Sequence, residues 1–130
     1  MTVYLSLEQI LQVNEGQIAA FGGTSGVRDG GGLEAAIARP QATFGGEDLY
    51  PDLAAKAAAR LHSLVMNHPF LDGNKRTGAM AAELFLYAND HDLEASDDSL
   101  FELTLATARG EFSAEELAIW FRQRVRHRER

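Results

Sequence analysis

The chain has 130 residues, no cysteine and a formal net charge of −7. A chain of this length can bury a core without disulfides, so we predict one domain over residues 1–130. Thiolate metal sites are excluded, apolar runs fall short of the roughly 18 to 20 residues of a membrane span, and the N-terminus lacks a secretory signal, which together indicate a cytoplasmic protein.

A first helix is predicted from a capping box near the N-terminus. Ser6 and Gln9 stand three residues apart before an apolar periodicity. In this arrangement each side chain satisfies an otherwise free amide of the other residue. The helix should end at Gly22. Its predicted apolar face consists of Leu7, Ile10, Leu11, Ile18 and Phe21.

Glycine-rich and irregular segments separate the next elements. Residues 23–32 are rich in glycine and should form a loop that carries Arg28 and Asp29. A short helix over residues 33–38 should end before Pro40, because proline disfavours the α conformation of the preceding residue. Residues 41–51 show no period and are predicted to be irregular.

Four further helices are predicted from apolar residues at helical spacing. They begin near Asp52, after Gly73, at Asp97 or Asp98, and after a second capping box formed by Ser113 and Glu116. No segment alternates with period two over the length of a strand. The expected fold class is therefore all-α, a compact bundle of about six helices.

The C-terminal residues hold much of the positive charge. Five of the twelve Lys and Arg residues lie there, namely Arg122, Arg124, Arg126, Arg128 and Arg130. Cations complement the dipole at a helix C-terminus, so we expect a solvated helix end. Contact with an acidic partner or with nucleic acid is the alternative for this segment. The acidic remainder of the chain argues against direct nucleic-acid binding by the domain.

Residues 68–78 concentrate the chemistry of the chain and read His-Pro-Phe-Leu-Asp-Gly-Asn-Lys-Arg-Thr-Gly. Pro69 should keep His68 on an extended segment. Gly73 frees the backbone for a tight turn, and the apolar period that resumes after it predicts a helix. Because the first amides of a helix have no intrahelical partner, this loop should lie at an anion-binding helix N-terminus.

The side chains of this segment suit chemistry on a phosphate. Lys75 and Arg76 place cations in the first helical turn, where the dipole disfavours them unless an anion is nearby. Asp72 could hold a divalent cation or cap the helix, and Asn74 could also be a cap. The imidazole of His68 can accept a proton near neutral pH, as a general base does.

This segment resembles the signature of the Fic/Doc family, His-Pro-Phe-x-Asp/Glu-Gly-Asn-Gly/Lys-Arg. The matching residues are His68, Pro69, Phe70, Asp72, Gly73, Asn74, Lys75 and Arg76. A weaker resemblance to the death-on-curing (Doc) branch of the family extends from about Tyr4 to Leu93. Phe70 is expected to anchor the loop in the core rather than to contact a ligand.

The resemblance implies an enzyme that uses ATP and Mg²⁺. The catalytic residues would be His68, Asp72 and Arg76, with His68 as the base for a hydroxyl group of a protein substrate. Asp72 would also be the metal ligand. The residues at the nucleotide phosphates would be Gly73, Asn74, Lys75 and Arg76.

Lys75 distinguishes two reactions within this family. Most members have glycine there and transfer the nucleotide monophosphate of ATP to a hydroxyl. The Doc branch carries lysine and is understood to transfer the γ-phosphate to a threonine of elongation factor Tu, which halts translation. By this resemblance the chain is a Doc-like protein kinase and a toxin. Pro69 and Gly73 depart from the Doc pattern, which keeps AMP transfer as an alternative.

A catalytically silent binding module is the second alternative, and the complete set of motif residues argues against it. Self-restrained Fic proteins carry the pattern Ser/Thr-x-x-x-Glu-Gly/Asn. This chain has Glu15 and Gly16, but Leu11 stands where the Ser or Thr should be. The missing internal restraint implies a separate antitoxin, which in this family is a partly disordered segment that folds as a helix in a groove.

A flap upstream of the motif aligns the target peptide in Fic proteins by strand-like pairing. Residues 43–46 lie in the corresponding part of this chain. Their backbone could accept an extended peptide in this way, or the segment could be a plain connection.

Overall fold

The computed structural model describes residues 1–129 and contains six α-helices in that range. They are α1 (Leu7–Phe21), α2 (Gly30–Ala38), α3 (Leu53–Asn67), α4 (Asn74–Ala88), α5 (Asp97–Ala108) and α6 (Ala114–Arg122), and a 3₁₀ helix covers Arg39–Gln41. Two antiparallel pairs are formed by the short strands β1 (Thr43–Phe44) with β2 (Glu47–Asp48) and β3 (His91–Leu93) with β4 (Val125–His127). The predicted all-α bundle of about six helices is confirmed.

Helix α3 lies at the centre of the bundle and contacts α2, α4, α5 and α6. Its alanines are buried, including Ala57, Ala58 and Ala59. Small side chains at a contact let helix axes approach closely. Leu64 of α3 and Phe85 of α4 are among the larger residues of the same core. Because α3 and α4 are packed along their lengths, the short loop that joins them is held at both ends.

Most helix starts agree with the prediction. Ser6 and Ser113 each form a complete capping box. Asp52 caps α3 by accepting the amide of Ala55 at 2.8 Å. Helix α5 is different, because Ser96 and not Asp97 or Asp98 provides its cap. The two aspartates lie in the first turn, where their charge complements the helix dipole.

Two segments of the first half are more ordered than predicted. Helix α2 begins at Gly30 rather than residue 33, because the Asp29 carboxylate accepts the amide of Gly32 at 3.0 Å. Strands β1 and β2 form a hairpin whose two turn glycines, Gly45 and Gly46, have φ of 61° and 81°. A Gly-Gly pair favours such a tight turn, so the hairpin could have been predicted.

The C-terminal segment departs from the predicted helix end. Helix α6 ends at Arg122, and residues 125–127 pair with β3 instead of extending the helix. Carboxylates of the same chain bind some of the C-terminal arginines, as in the pairs Arg122–Asp52 and Arg126–Glu94 at 2.6 Å and 3.0 Å. Arg130, part of the predicted arginine tail, lies outside the described residues.

The apolar face predicted for α1 is only partly buried. Ile10 lies in the core, whereas Leu7 and Phe21, near the two ends of the helix, are exposed. Over residues 1–129, none of the helices combines the length and the apolar character required to cross a bilayer.

Candidate active site

The loop between α3 and α4 contains the motif and reverses the chain sharply. His68 ends α3 with φ 51° and ψ 52°, a left-handed conformation, and not on the extended segment that was expected. Pro69 does exclude the right-handed helix at His68, but the chain reverses by the left-handed alternative, which histidine adopts more often than most residues. Gly73 is also left-handed, with φ 79°, and α4 begins at the next residue.

Two different partners hold the two edges of this loop. On one edge the amides of Arg28 and Asp29 donate to the Pro69 carbonyl at 2.7 Å and 3.0 Å, and Leu71 donates to Gly26 at 2.9 Å. These bonds come from the glycine-rich segment that precedes α2. The motif loop therefore packs against a second loop that lies earlier in the chain, with Arg28 and His68 separated by 40 residues.

Asn74 holds the other edge of the loop. Its side-chain oxygen accepts the Phe70 amide at 2.9 Å, and its side-chain nitrogen donates to the Phe70 carbonyl at 3.0 Å. Asn74 is 4% exposed and Phe70 is 1% exposed, so both bonds are shielded from water. Phe70 is the core anchor that was predicted. Both polar atoms of the Asn74 side chain are therefore hydrogen-bonded within the loop.

Asn14 is a site residue that the sequence reasoning missed. Its side-chain nitrogen lies 2.9 Å from the Asp72 carbonyl and 3.1 Å from the Thr77 hydroxyl, and the residue is 2% exposed. Asn14 lies four residues after Ile10 and four before Ile18, on the face of α1 that packs inward. A polar residue within an apolar stripe was the observation that could have revealed it.

Helix α4 begins without a side-chain cap. Gly73 occupies the cap position, and neither Asp72 nor Asn74 takes the capping role considered for them. The first backbone bond of the helix runs from the Thr77 amide to the Gly73 carbonyl at 2.9 Å. The amides of the first turn are consequently available to an external acceptor, and they carry the positive end of the helix dipole.

The Arg76 guanidinium contacts two aromatic rings. Its guanidinium carbon lies 3.8 Å from the ring centre of Phe21 and 4.7 Å from that of Phe101. Such stacking stabilises a cation and restricts its orientation. Lys75 is exposed at the same helix start. The first turn thus combines free amides, one guanidinium stacked on aromatic rings and one exposed ammonium group, a chemistry that fits an anion.

The predicted site residues meet at one cavity of about 360 Å³. The cavity is lined by His68, Asp72, Gly73, Asn74, Lys75 and Arg76, together with Gln17, Phe21, Gly22, Gly23, Leu71, Phe101 and Leu105. A volume of this size suits a small-molecule ligand. The site therefore has a potential base, a carboxylate and an anion-binding helix start within one hollow.

Asp72 is the carboxylate closest in sequence to His68. One of its oxygens accepts the Thr24 amide at 2.7 Å, and the side chain is exposed at the cavity. Within residues 1–129 there is no cluster of three or more acidic or histidine side chains that could enclose a metal ion. A single carboxylate fits Mg²⁺, which proteins commonly bind through one or two carboxylates and the phosphates of the substrate.

A groove beside the cavity combines apolar and acidic residues with the side chain of Arg76. The side chains of Phe21 and Met80 are exposed along it, and Glu83, Asp97 and Asp98 add carboxylates. Burial raises the pKa of the Glu83 carboxyl, and the nearby Asp97 adds to this effect. A cation placed in the groove would relieve that unfavourable environment.

The β1–β2 hairpin is exposed on both strands. Lys56 of α3 is buried and holds the base of the hairpin. Its ammonium group lies 3.1 Å from the Asp48 carboxylate and 3.4 Å from the Pro40 carbonyl. The Phe44 side chain at the tip is 84% exposed. The hairpin therefore projects from a firm attachment and offers open backbone edges.

Comparison with known proteins identifies relatives that extend over most of the chain. A model described as the Fic/DOC family matches residues 4–86. A protein named Toxin Doc from Mycolicibacterium smegmatis is 47% identical over 124 residues, covering 91% of this chain and 93% of that protein. Protein kinase doc from Escherichia phage P1 is 35% identical over 115 residues, covering 88% of this chain and 90% of that protein.

Proposed function

Because this chain belongs to the Fic/DOC family, we propose that it is a Doc-like toxin that transfers the γ-phosphate of ATP to a protein. The acceptor would be a Ser or Thr hydroxyl of a translation factor, with elongation factor Tu as the expected target, and the reaction would arrest translation in the cytoplasm. One observation carries the proposal: an exposed imidazole and an uncapped, cation-bearing helix start face the same cavity.

The residues would divide the reaction among them. His68 takes the proton of the acceptor hydroxyl while the hydroxyl oxygen attacks the γ-phosphorus. The bond between the γ-phosphorus and the oxygen that bridges it to the β-phosphate breaks, and ADP leaves. The first amides of α4, with Lys75 and Arg76, bind the phosphate oxygens and stabilise the charge that develops on them. Asp72 would hold Mg²⁺, which neutralises phosphate charge when bound.

The finer identity of the transferred group depends on Lys75. Glycine at this position would leave room for the backbone to approach the α- and β-phosphates, whereas lysine fills that volume with a cationic chain. This favours the inverted nucleotide of the Doc branch and hence transfer of the γ-phosphate. AMP transfer is the alternative, and the left-handed Gly73 favours it because the pattern most common in Fic enzymes has glycine at this position.

We also propose that a cognate antitoxin binds the groove formed by Phe21, Met80, Glu83, Asp97 and Asp98. One relative is named Toxin Doc and another Protein kinase doc, and a Doc-like toxin would require a neutralising partner. The groove fits an amphipathic helix with an apolar stripe and basic flanks. Calorimetric titration should show weaker antitoxin binding to Glu83→Lys than to wild type. Equal affinities would place the antitoxin elsewhere.

The β1–β2 hairpin is proposed to align the protein substrate through its exposed strand edges. Its firm base at Lys56 and its open tip at Phe44 support this role. Phe44→Ala should raise KM for the protein substrate and leave KM for ATP unchanged. An unchanged KM for the protein would leave the hairpin as a connection.

Growth experiments test the proposed toxin role. Induced expression of the wild-type chain should arrest bacterial growth through loss of protein synthesis, and His68→Ala should abolish the arrest. His127→Ala is the matched control, because it removes an imidazole from β4 and leaves the site intact. Normal growth with abundant folded wild-type protein would refute the toxin role, and persisting arrest with folded His68→Ala would remove His68 as the base.

A further inference from the structure

His68 has a backbone conformation that requires support from outside the residue. Its φ of 51° and ψ of 52° lie in the left-handed region, which is unfavourable for a residue with a side chain. The direction of the imidazole depends on this backbone geometry. A rotation of the backbone towards an extended conformation would turn the side chain to another direction without unfolding any helix.

Arg28 supplies that support from the glycine-rich segment. Its Nε donates to the His68 carbonyl at 2.7 Å and its Nη2 donates to the Asn67 carbonyl at 3.1 Å. Its backbone amide donates to the Pro69 carbonyl at 2.7 Å. One residue therefore binds three consecutive carbonyl groups at the C-terminal end of α3, where the helix dipole favours a cation.

The other parts of the loop have partners that do not depend on the Arg28 side chain. Leu71 is bound by the Gly26 carbonyl, Phe70 by the Asn74 side chain, and Asp72 by the Thr24 amide. Loss of the guanidinium would thus release only the last residues of α3. Arg28 is also exposed, so its replacement leaves no cavity in the core.

We propose that Arg28 is a positioning residue for His68: its guanidinium holds the carbonyls of Asn67 and His68 and keeps the imidazole directed into the cavity. This inference rests on the proposed role of His68 as the base. The fork geometry is essential, because guanidinium presents two donors in one plane whereas an ammonium group is a single point of charge. Arg28→Lys should therefore fail to replace arginine even though it keeps the charge.

The test compares Arg28→Lys and Arg28→Ala with a matched control at the other end of the same helix. Arg122 also uses two guanidinium nitrogens, which bind the Asp52 carboxylate at 2.6 Å and 3.1 Å at the N-terminus of α3. Arg122→Ala thus removes a similar fork far from the loop. Each variant is assayed with γ-labelled ATP, Mg²⁺ and purified elongation factor Tu, and its melting temperature and His68 imidazole NMR signals are recorded.

Both Arg28 variants should lower kcat at least tenfold with unchanged KM for ATP, and both should shift the His68 imidazole signals. Arg122→Ala should lower the melting temperature and leave kcat and these signals unchanged. The inference would be overturned if kcat and the His68 signals of the Arg28 variants were unchanged. It would also be overturned if kcat fell in all variants, Arg122→Ala included, in proportion to their loss of melting temperature. If wild type is inactive, the proposed function fails, and the NMR comparison alone decides whether Arg28 positions His68.

Discussion

Replacement of Asn74 by alanine should destabilise the protein through the motif loop. The change removes the two hydrogen bonds, 2.9 Å and 3.0 Å long, that the Asn74 side chain makes to the Phe70 amide and carbonyl. An unsatisfied buried polar group costs about 1–3 kcal/mol. Alanine has a higher helix propensity, which offsets about 0.5 kcal/mol. Two unsatisfied groups at about 1–3 kcal/mol each, less this offset, give an expected loss of about 1.5–5.5 kcal/mol of unfolding free energy.

Urea unfolding measures this loss, and Asn67→Ala serves as its control. Asn67 makes one side-chain bond, to the Gly32 carbonyl at 3.0 Å, in a half-buried position next to the same loop. Its replacement should cost only about 1 kcal/mol, the typical net value of one hydrogen bond. Folded Asn74→Ala should also bind ATP–Mg²⁺ more weakly in calorimetry, because the first amides of α4 follow directly from this loop.

Two results would refute the reasoning about Asn74. The first is a loss of unfolding free energy below about 0.5 kcal/mol, which is the size of an ordinary surface substitution. The second is a loss no greater than that of Asn67→Ala. Either result would mean that the Phe70 backbone finds other partners and that Asn74 does not determine the shape of the loop.

Two further predictions concern Gly73 and His62. Gly73→Ala should lower the unfolding free energy by more than left-handed strain alone, which costs about 1–2 kcal/mol, because the added Cβ would lie 3.2 Å from the Asn14 side chain. Gly45→Ala, at φ 61°, is the control: its Cβ meets no atom within 4 Å, so it should cost the strain alone. Equal losses of unfolding free energy in urea would contradict this prediction. Burial, and to a smaller extent the charge of Arg39, lower the pKa of His62 below its ordinary value of 6.5. The unfolded chain therefore binds a proton at His62 more readily than the folded one, so the unfolding free energy should decrease as the pH falls below about 6.5. His62→Gln should flatten that part of a pH series of unfolding curves, and an unchanged slope would exclude His62.

Local patterns predicted the parts of the fold that depend on near neighbours. The capping boxes at Ser6 and Ser113 and the left-handed turn at Gly73 involve residues within a few positions of each other. The motif residues met at one cavity because they lie at one loop and the following helical turn. Sequence alone was sufficient for these features, since the physics that forms them is local.

Other features depend on contacts between distant residues and were not predictable in this way. Asn14 binds the carbonyl of Asp72, 58 residues later, and Arg28 binds that of His68, 40 residues later. The aromatic rings that contact Arg76 come from α1 and α5. The left-handed His68 was also missed, because its conformation depends on Arg28 and not only on the proline that follows.

The most direct test of the proposed reaction uses ATP labelled on either the α- or the γ-phosphate. Wild-type protein with Mg²⁺ should transfer the γ-label to a single band of a bacterial lysate near the size of elongation factor Tu, and no α-label. Lys75→Gly should lose transfer of the γ-label, because the side chain that favours the inverted nucleotide is removed. Transfer of α-label without γ-label by the wild type would contradict the kinase and establish the nucleotidyltransferase alternative.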